Sequence, residues 1–427
     1  MKRIIILIVA ITLVACSKQK LSEQAPSKLN KQEIRHTVRS YDEALKIAEN
    51  AIDMLESSKS STRSKKKCRK IDFTQNKVIM SEPKTRAELD DCDSLIYVFN
   101  FENNEGFALV SASKSTEGLL AVTEKGHFDP NIPSKIKGFE EFKEMAKEYV
   151  RNAFSINRSP VGPIVETKDS ITYTLTQVGP YLTVRWGQNY PEGELCPNGK
   201  SGCTNTAIAQ LMSYYCYPTS INITYQGADV TTQTLNWADI KAHNTGHSSS
   251  NCSTLSTHNA IGRLLRQIGE LNQSNYSNPD CTETEPYYID QSLTTLGYNC
   301  GEWHLWSTLV GSLVRSQLNY GHLFIIIGQS PEDIEDGHSW VIDGYLSIEK
   351  LVREMARTST SGWFFTGIEY TETTNYMHFN WGGYGNCNGF FAEGVYNSAL
   401  AYSYDAGVSH TATLNYSSLV RVICAYR

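Results

Sequence analysis

The sequence predicts an α+β chain, and three stretches predict it. In Gly202-Cys203-Thr204-Asn205-Thr206-Ala207-Ile208-Ala209-Gln210-Leu211-Met212, a glycine supplies a sharp turn. Ala207, Ile208, Leu211, Met212 and Tyr215 then recur with the helical period, so a buried helix begins at Cys203. In Gly337-His338-Ser339-Trp340-Val341-Ile342-Asp343-Gly344, strand-favouring residues are bounded by glycines. Toward the N-terminus, Ser94–Phe101, Gly106–Ala112 and Leu119–Thr123 read as strands lying between two amphipathic helices.

In chain order, Met1-Lys2-Arg3 precedes the apolar run Ile4–Val14, which is too short to span a bilayer and has small residues before Cys16. This is the pattern of a secretory signal over residues 1–16. Leu13-Val14-Ala15-Cys16 looks like a bacterial lipobox, making Cys16 the expected lipidated residue and the anchor to a membrane leaflet. Ser17 after it is compatible with an outer-membrane destination. Residues 17–32 are polar and read as a tether. Over Ser40–Ser57 the residues Ala44, Leu45, Ile47, Ala48, Ala51, Ile52 and Leu55 make an apolar stripe, with Ser40 and Glu43 spaced as a capping box. The run Ser57–Lys70 is basic but has no aromatic residues, and the chain has net charge −6, so it reads as a solvated loop and not a nucleic-acid patch. Around Ile136–Phe154, Phe139, Phe142, Met145, Ala146 and Val150 give a second amphipathic helix, and Asn157–Ser170, with Pro160, Gly162 and Pro163, reads as an exposed linker.

The residues that carry chemistry lie further on. The unpaired N–H groups and macrodipole of a helix start favour a thiolate at Cys203, and the thiolate is the nucleophile. Gly202 admits close backbone approach, and the Cys203 N–H can face a developing oxyanion. A lone cysteine there is ordinarily a small core residue. Three companions change that reading. His338 enters a strand well over a hundred residues later; Asn380, in Met377-His378-Phe379-Asn380-Trp381-Gly382-Gly383-Tyr384, suits an imidazole N–H, with Trp381 as its cover; and the amide of Gln188, after Trp186-Gly187, suits a second oxyanion donor.

Gly179–Pro218, the strand Gly337–Tyr345 and the loop His378–Phe391 together resemble the streptopain-like cysteine peptidases, family C10, a secreted bacterial branch of the papain fold. The resemblance runs from about Gly179 to the C-terminus. It implies a papain-like two-subdomain cysteine protease fold, with a helical subdomain around Cys203, an antiparallel β-sheet subdomain carrying His338 and Asn380, and a cleft between them. The stretch Gly106–Asp129 resembles the family's prodomain and related inhibitor proteins, which implies a separate α+β prodomain that blocks the cleft until removed. The expected domains are therefore a signal peptide (1–16), a tether (17–32), an inhibitory prodomain (33–156), a maturation linker (157–172) and a catalytic domain (173–427). By resemblance, Cys203, His338, Asn380, Gln188 and Trp381 are catalytic, Trp381 being often regarded as the family's third element, and Gly337 contacts substrate. Three departures stand out. Gly383 replaces the family's second tryptophan, with Tyr384 next. An insertion at Leu346–Thr374, with Trp363, Phe364 and Phe365, is expected as a lid or an altered substrate wall. Thr204-Asn205 stands where small apolar residues are usual, and is expected not to touch the chemistry.

The region after Gly179 contains Cys196, Cys203, Cys216, Cys252, Cys281, Cys300, Cys387 and Cys424; if Cys203 is the free nucleophile, at least one other stays unpaired. No C-x-x-C pair accompanies His243, His247 or His258, and no phosphate or dinucleotide fingerprint occurs, so neither a metal nor a cofactor is expected. The expectation is a lipid-anchored, exported cysteine endopeptidase made as a zymogen, acting on protein or peptide substrates through a thioester on Cys203, with its own prodomain as intramolecular inhibitor. The alternatives are a non-catalytic envelope binding protein on the same scaffold and a thiol acyltransferase.

Overall fold

The computed structural model describes residues 38–58, 69–80, 94–156, 167–221, 233–242, 255–329, 337–356, 364–396 and 420–427. The expected signal, tether and Cys16, and most of the linker before Thr167, lie outside them.

The N-terminal unit opens with helix α1 (Tyr41–Ser58). The capping box forms as expected: the Ser40 N–H donates to Glu43 Oε2 at 2.7 Å, and the Glu43 N–H to Ser40 Oγ at 3.2 Å. Ala44, Ala48 and Ala51 are fully buried, and their small side chains let α1 lie close on the antiparallel strands β1 (Lys77–Met80), β2 (Ser94–Asn100), β3 (Phe107–Ser111) and β4 (Leu119–Thr123). The basic run after α1 is not solvated throughout. Arg69 is buried and pairs with Glu56 at 2.5 Å while donating to the Glu105 carbonyl at 3.0 Å, because a buried guanidinium needs acceptors. Residues 59–68 lie outside the described set. Helix α2 (Lys137–Ile156) closes the unit, with Phe139, Phe142, Met145, Ala146 and Val150 buried.

Strand β5 (Thr167–Val178) leads into the C-terminal unit. Its first residues fall inside the stretch read as linker, so that linker gives way to ordered strand at Thr167. Helix α3 (Cys203–Tyr215) follows, then the short hairpin β6 (Ser220–Ile221) and β7 (Gln233–Thr234), and helices α4 (Trp237–Ala242), α5 (Leu255–Leu271) and α6 (Tyr287–Thr295). Next come β8 (Asn299–Cys300), β9 (His304–Leu305) and α7 (Thr308–Leu318), whose Ser307 cap accepts from Val310 N. Strands β10 (Leu323–Gln329), β11 (Gly337–Ala356), β12 (Phe364–Asn380), β13 (Gly389–Ala392) and β14 (Arg421–Tyr426) complete the chain.

One antiparallel sheet runs through both units in the order β1-β2-β3-β4-β13-β12-β11-β10-β14-β8, with β5 added to β11 and β9 to β14. The prodomain-like strands are thus continuous with the C-terminal sheet: Gly389, Phe390 and Phe391 pair with Thr123, Val122 and Ala121. An edge strand presents unpaired N–H and C=O groups, and β4 satisfies those of β13. Alternate residues of β10 serve different cores. Leu323, Ile325 and Ile327 face the helical side with α3 and α5, while Phe324 and Ile326 face the core shared with α2 and the N-terminal strands. This fold is α+β and papain-like, with the helices around Cys203 on one face of the sheet and α2 and α7 against the other.

The insertion is neither lid nor substrate wall among the described residues. Leu346–Ala356 and Phe364–Thr374 extend β11 and β12 into a ribbon, with β5 zipped along its other edge from Tyr345↔Val178 to Ala356↔Thr167. None of its described residues lines the cleft described below. Phe365 stays half-exposed on the ribbon, and Trp363 lies outside the described residues.

Candidate active site

Cys203 is the first residue of α3, and two features fix it there. Gly202 has φ +87°, and a Cβ on it would come within 3.1 Å of the Thr282 carbonyl oxygen, so both backbone and space demand glycine. The Thr206 hydroxyl bridges the Gly202 and Gly187 carbonyls at 2.8 and 3.2 Å. Asn205 donates to the Ser201 carbonyl at 2.7 Å and accepts from Asn272 at 2.6 Å. The helix start is therefore bolted to the Trp186-Gly187-Gln188 segment and to the loop after α5.

His338 is the second residue of β11, paired with Gly328 of β10. Its ring stacks on Trp340 with centroids 5.9 Å apart, and its Nε2 lies 3.1 Å from the Trp381 carbonyl oxygen. That contact leaves the other ring nitrogen for Cys203. Burial alone pushes the Cys203 thiol up. The charge of His338, its hydrogen bond, the Ser339 backbone amide and the Thr204 side chain together outweigh burial and bring the thiol down to about 7. Burial drives other thiols the opposite way: Cys196 and Cys300 to about 11, Cys387 and Cys424 to about 12. All seven described cysteines are unpaired.

Asn380 does not take the expected place. The imidazole Nε2 faces the Trp381 carbonyl, while Asn380 Oδ1 accepts from Gln210 Nε2 at 3.1 Å and from Gly382 N at 3.3 Å, and its Nδ2 donates to the Val184 carbonyl at 3.0 Å. Asn380 shapes the loop that presents the Trp381 carbonyl. Trp381 is fully buried, its indole N–H donating to the Cys387 carbonyl at 3.0 Å, and its ring packs 4.7 Å from Trp340. The two indoles shield the histidine together, and the contribution of Trp340 went unread in the sequence.

Three further residues were missed. Thr204 touches the chemistry after all: its hydroxyl lies 2.9 Å from Ser339 Oγ, tying the residue after the thiol to the residue after the histidine. Gln210, fully buried two turns along α3, donates to both Asn380 Oδ1 and the Trp186 carbonyl, so it links the nucleophile helix to both flanking loops. A polar residue on the apolar face of a buried helix was the available signal for Gln210. A third, Asp343, sits at a bulge in β11, where its carboxylate accepts from His378 at 2.6 Å and from Leu182 N at 2.8 Å, fixing the entry of the chain toward Trp186.

Gln188, Cys203, Gly337, His338 and Trp381 line one cleft of about 660 Å³, and the segment Lys135–Lys137 lines it too. Asp280–Pro286 line it as well. Tyr384 supplies the aromatic wall beside Gln188, its hydroxyl accepting from Asn189 N at 2.9 Å and its ring pressed on Gly187, where a Cβ would come within 2.0 Å. From the N-terminal unit, α2 enters at the imidazole. A Cβ on Gly138 would meet Trp381 Cε3 at 2.5 Å and His338 Cδ2 at 2.6 Å. Phe142 meanwhile packs 4.8 Å from Phe391 of β13, holding α2 on the C-terminal sheet.

Residues 186–391 match the peptidase C10 family, and residues 30–150 match the Spi protease inhibitor family. The chain is 27% identical to streptopain of Streptococcus pyogenes serotype M1, over 74% of this chain and 78% of that protein. It is 23% identical to the thiol protease/hemagglutinin PrtT of Porphyromonas gingivalis, over 71% of this chain but only 34% of that protein, so it spans about a third of that relative's length. Among solved structures, a fragment of Prevotella intermedia prointerpain A covers 82% of this chain and 98% of its own at 20% identity, with a TM-score of 0.52.

Proposed function

Because the chain belongs to the peptidase C10 family, a family of cysteine peptidases, and carries an N-terminal inhibitor-like domain, we propose that it is a cysteine endopeptidase made as a zymogen and acting on protein or peptide substrates. The observation that carries the proposal is that Cys203 at the start of α3 and His338 at the start of β11 line one cleft with Gln188 and Trp381, with the histidine placed to favour the thiolate.

In this mechanism His338 takes the Cys203 proton and the two persist as an ion pair. The thiolate attacks the substrate carbonyl, and the Cys203 N–H with the Gln188 amide stabilises the oxyanion, each donor contributing roughly 2.7–4 kcal/mol. The C–N bond then breaks as His338 protonates the leaving amine, leaving a thioester on Cys203. Water, deprotonated by His338, attacks the thioester and releases the acid. The Trp381 carbonyl orients the ring, Asn380 holds the loop bearing that carbonyl, and Gly337 leaves room for an extended peptide.

The N-terminal unit keeps the site silent by laying Ile136–Gly138 across it. A cut between Ile156 and Thr167 frees that unit and leaves β5 on the catalytic part, where its pairing with β11 retains it. We further propose export and lipidation at Cys16, supported by Leu13-Val14-Ala15-Cys16 after a basic start, with the outer membrane as destination and release of the mature enzyme on processing.

The test is hydrolysis of an unfolded protein substrate by the purified full chain under reducing conditions. Cleavage abolished by a thiol alkylating agent and by Cys203→Ala supports the peptidase; cleavage indifferent to both removes it.

A further inference from the structure

We infer that Glu192 and Tyr384 are positioning residues of the proposed hydrolysis: they grip the backbone on either side of Gln188 and so set where its side-chain amide meets the oxyanion. The inference rests on the peptidase reading above.

Gln188 lies between Gly187 and Asn189, and each of the three is held by a different part of the chain. The Gly187 N–H donates to Glu192 Oε1 at 3.2 Å. The Gln188 carbonyl accepts from the Ser201 N–H at 2.8 Å and from the Ser201 hydroxyl at 3.2 Å, just before the nucleophile helix. The Asn189 N–H donates to the Tyr384 hydroxyl at 2.9 Å. A side-chain donor on a freely moving loop loses much of an oxyanion's stabilisation to misplacement, and these contacts remove that freedom.

Glu192 is fully buried, where a carboxylate is costly unless its oxygens find donors. A tight reversal of the chain brings it to one. The Gly193 N–H donates to the Asn189 carbonyl at 2.8 Å, and a Cβ on Gly193 would come within 2.7 Å of the Gln188 carbonyl oxygen. The Glu192 side chain thereby returns to the residue that precedes Gln188.

Tyr384 approaches from the other side. Its φ is +59°, a conformation that a bulky side chain adopts only where its surroundings hold it. Its N–H donates to the Trp186 carbonyl at 3.4 Å, and its ring lies so close on Gly187 that a Cβ there would come within 2.0 Å of Cζ. Gly187 is not among the positive-φ residues, so the space taken by the ring is what demands glycine. Burial and the charge of Glu192 hold the Tyr384 phenol well above its ordinary range, which places the two gripping side chains within reach of each other. A strained tyrosine and a buried glutamate thus converge on three residues whose centre is the oxyanion donor.

The experiment uses the full chain of each variant, matured by tagged wild-type enzyme that is then withdrawn on its tag, so that no variant has to process itself. kcat and KM are measured on a peptide substrate, and Cys203 is separately alkylated with iodoacetamide, a reaction that forms no oxyanion. Glu192→Leu and Tyr384→Phe are expected to lower kcat at least about tenfold, where loss of a whole oxyanion donor costs about 100- to 1000-fold. KM and the alkylation rate are expected to stay within about twofold of the wild type. Glu192→Gln keeps an acceptor for Gly187 and is expected to restore kcat to within about threefold. In a Gln188→Ala background, Glu192→Leu is expected to cost no more than about twofold further, because residues that act through one group do not add. Tyr384→Phe removes one hydroxyl and needs no repacking, so it decides the question where Glu192→Leu does not fold. An unchanged kcat in Glu192→Leu or Tyr384→Phe, alkylation that slows in step with kcat, or the full loss repeated in Gln188→Ala overturns the inference and leaves the peptidase reading standing. A wild-type enzyme without thiol-dependent hydrolysis removes that reading and this inference with it.

Discussion

Gly138 of α2 lies against the imidazole of His338, so close that a Cβ added to the glycine would come within 2.6 Å of His338 Cδ2 and 2.5 Å of the Trp381 ring. Inhibitor-like and C-terminal units therefore meet at the imidazole proposed to act as the base. Gly138→Val is expected to lift the start of α2 off the site at an overpacking cost of roughly 1–3 kcal/mol. The check is the rate at which iodoacetamide labels Cys203 in the uncut chain, made non-processing by brief exposure at low temperature. Labelling should quicken roughly 5- to 150-fold by that cost; an unchanged rate means that α2 does not guard the thiol.

The thiolate is the reactive form, and Cys203 ionises at about 7 in place of the usual 9. Its population therefore rises as pH climbs through 7 and falls below it. The pH profile of Cys203 alkylation should have its midpoint near 7 and move back toward or beyond 9 in His338→Ala, which removes the charge and hydrogen bond that oppose burial. A wild-type midpoint near 9 would mean that the pair is not coupled.

Thr204 contributes to the same balance and bridges to Ser339 at 2.9 Å. Thr204→Val keeps the shape and removes the hydroxyl, so the alkylation midpoint should rise while Thr204→Ser keeps it low. Equal midpoints in the two variants would reduce Thr204 to packing.

Gln210 acts through Asn380 and Trp186 and touches no substrate, so it is a positioning residue. Gln210→Leu should cost about 0.5–1.5 kcal/mol of stability for each hydrogen bond it removes, since Asn380 Oδ1 keeps Gly382 N and the Trp186 carbonyl keeps Tyr384 N. For the matured enzyme, kcat should fall roughly tenfold, about 1.4 kcal/mol of barrier, with KM little changed. A rise in KM alone would place Gln210 in substrate binding.

How much of this could be read from the sequence follows the range of each interaction. The helix at Cys203, the strand at His338 and the capping box at Ser40–Glu43 announce themselves through local periodicity and turn residues. The pairing of β4 with β13 leaves no local mark, because strand partners far apart in sequence are chosen by matching faces and free edges. The Trp381 carbonyl that meets His338 is a backbone group, and no residue type encodes it, which is why Asn380 attracted the role. Gly138 reads as an indifferent helix residue until its neighbour across the units is known. The ribbon's extension was mistaken for a lid, and the first residues of β5 for linker, because β5 pairs with a strand far away in sequence and such pairing leaves no local mark.

The most direct measurement is the intact mass and N-terminal sequence of fragments formed when the full chain is incubated under reducing conditions, wild type beside Cys203→Ala. A thiol-dependent cut between Ile156 and Thr167, yielding a fragment that retains β5 and becomes active as the N-terminal unit is lost, is the expected result for the wild type alone. The same cut in isolated Cys203→Ala protein, or full peptidase activity with the N-terminal unit intact and in place, would contradict the account.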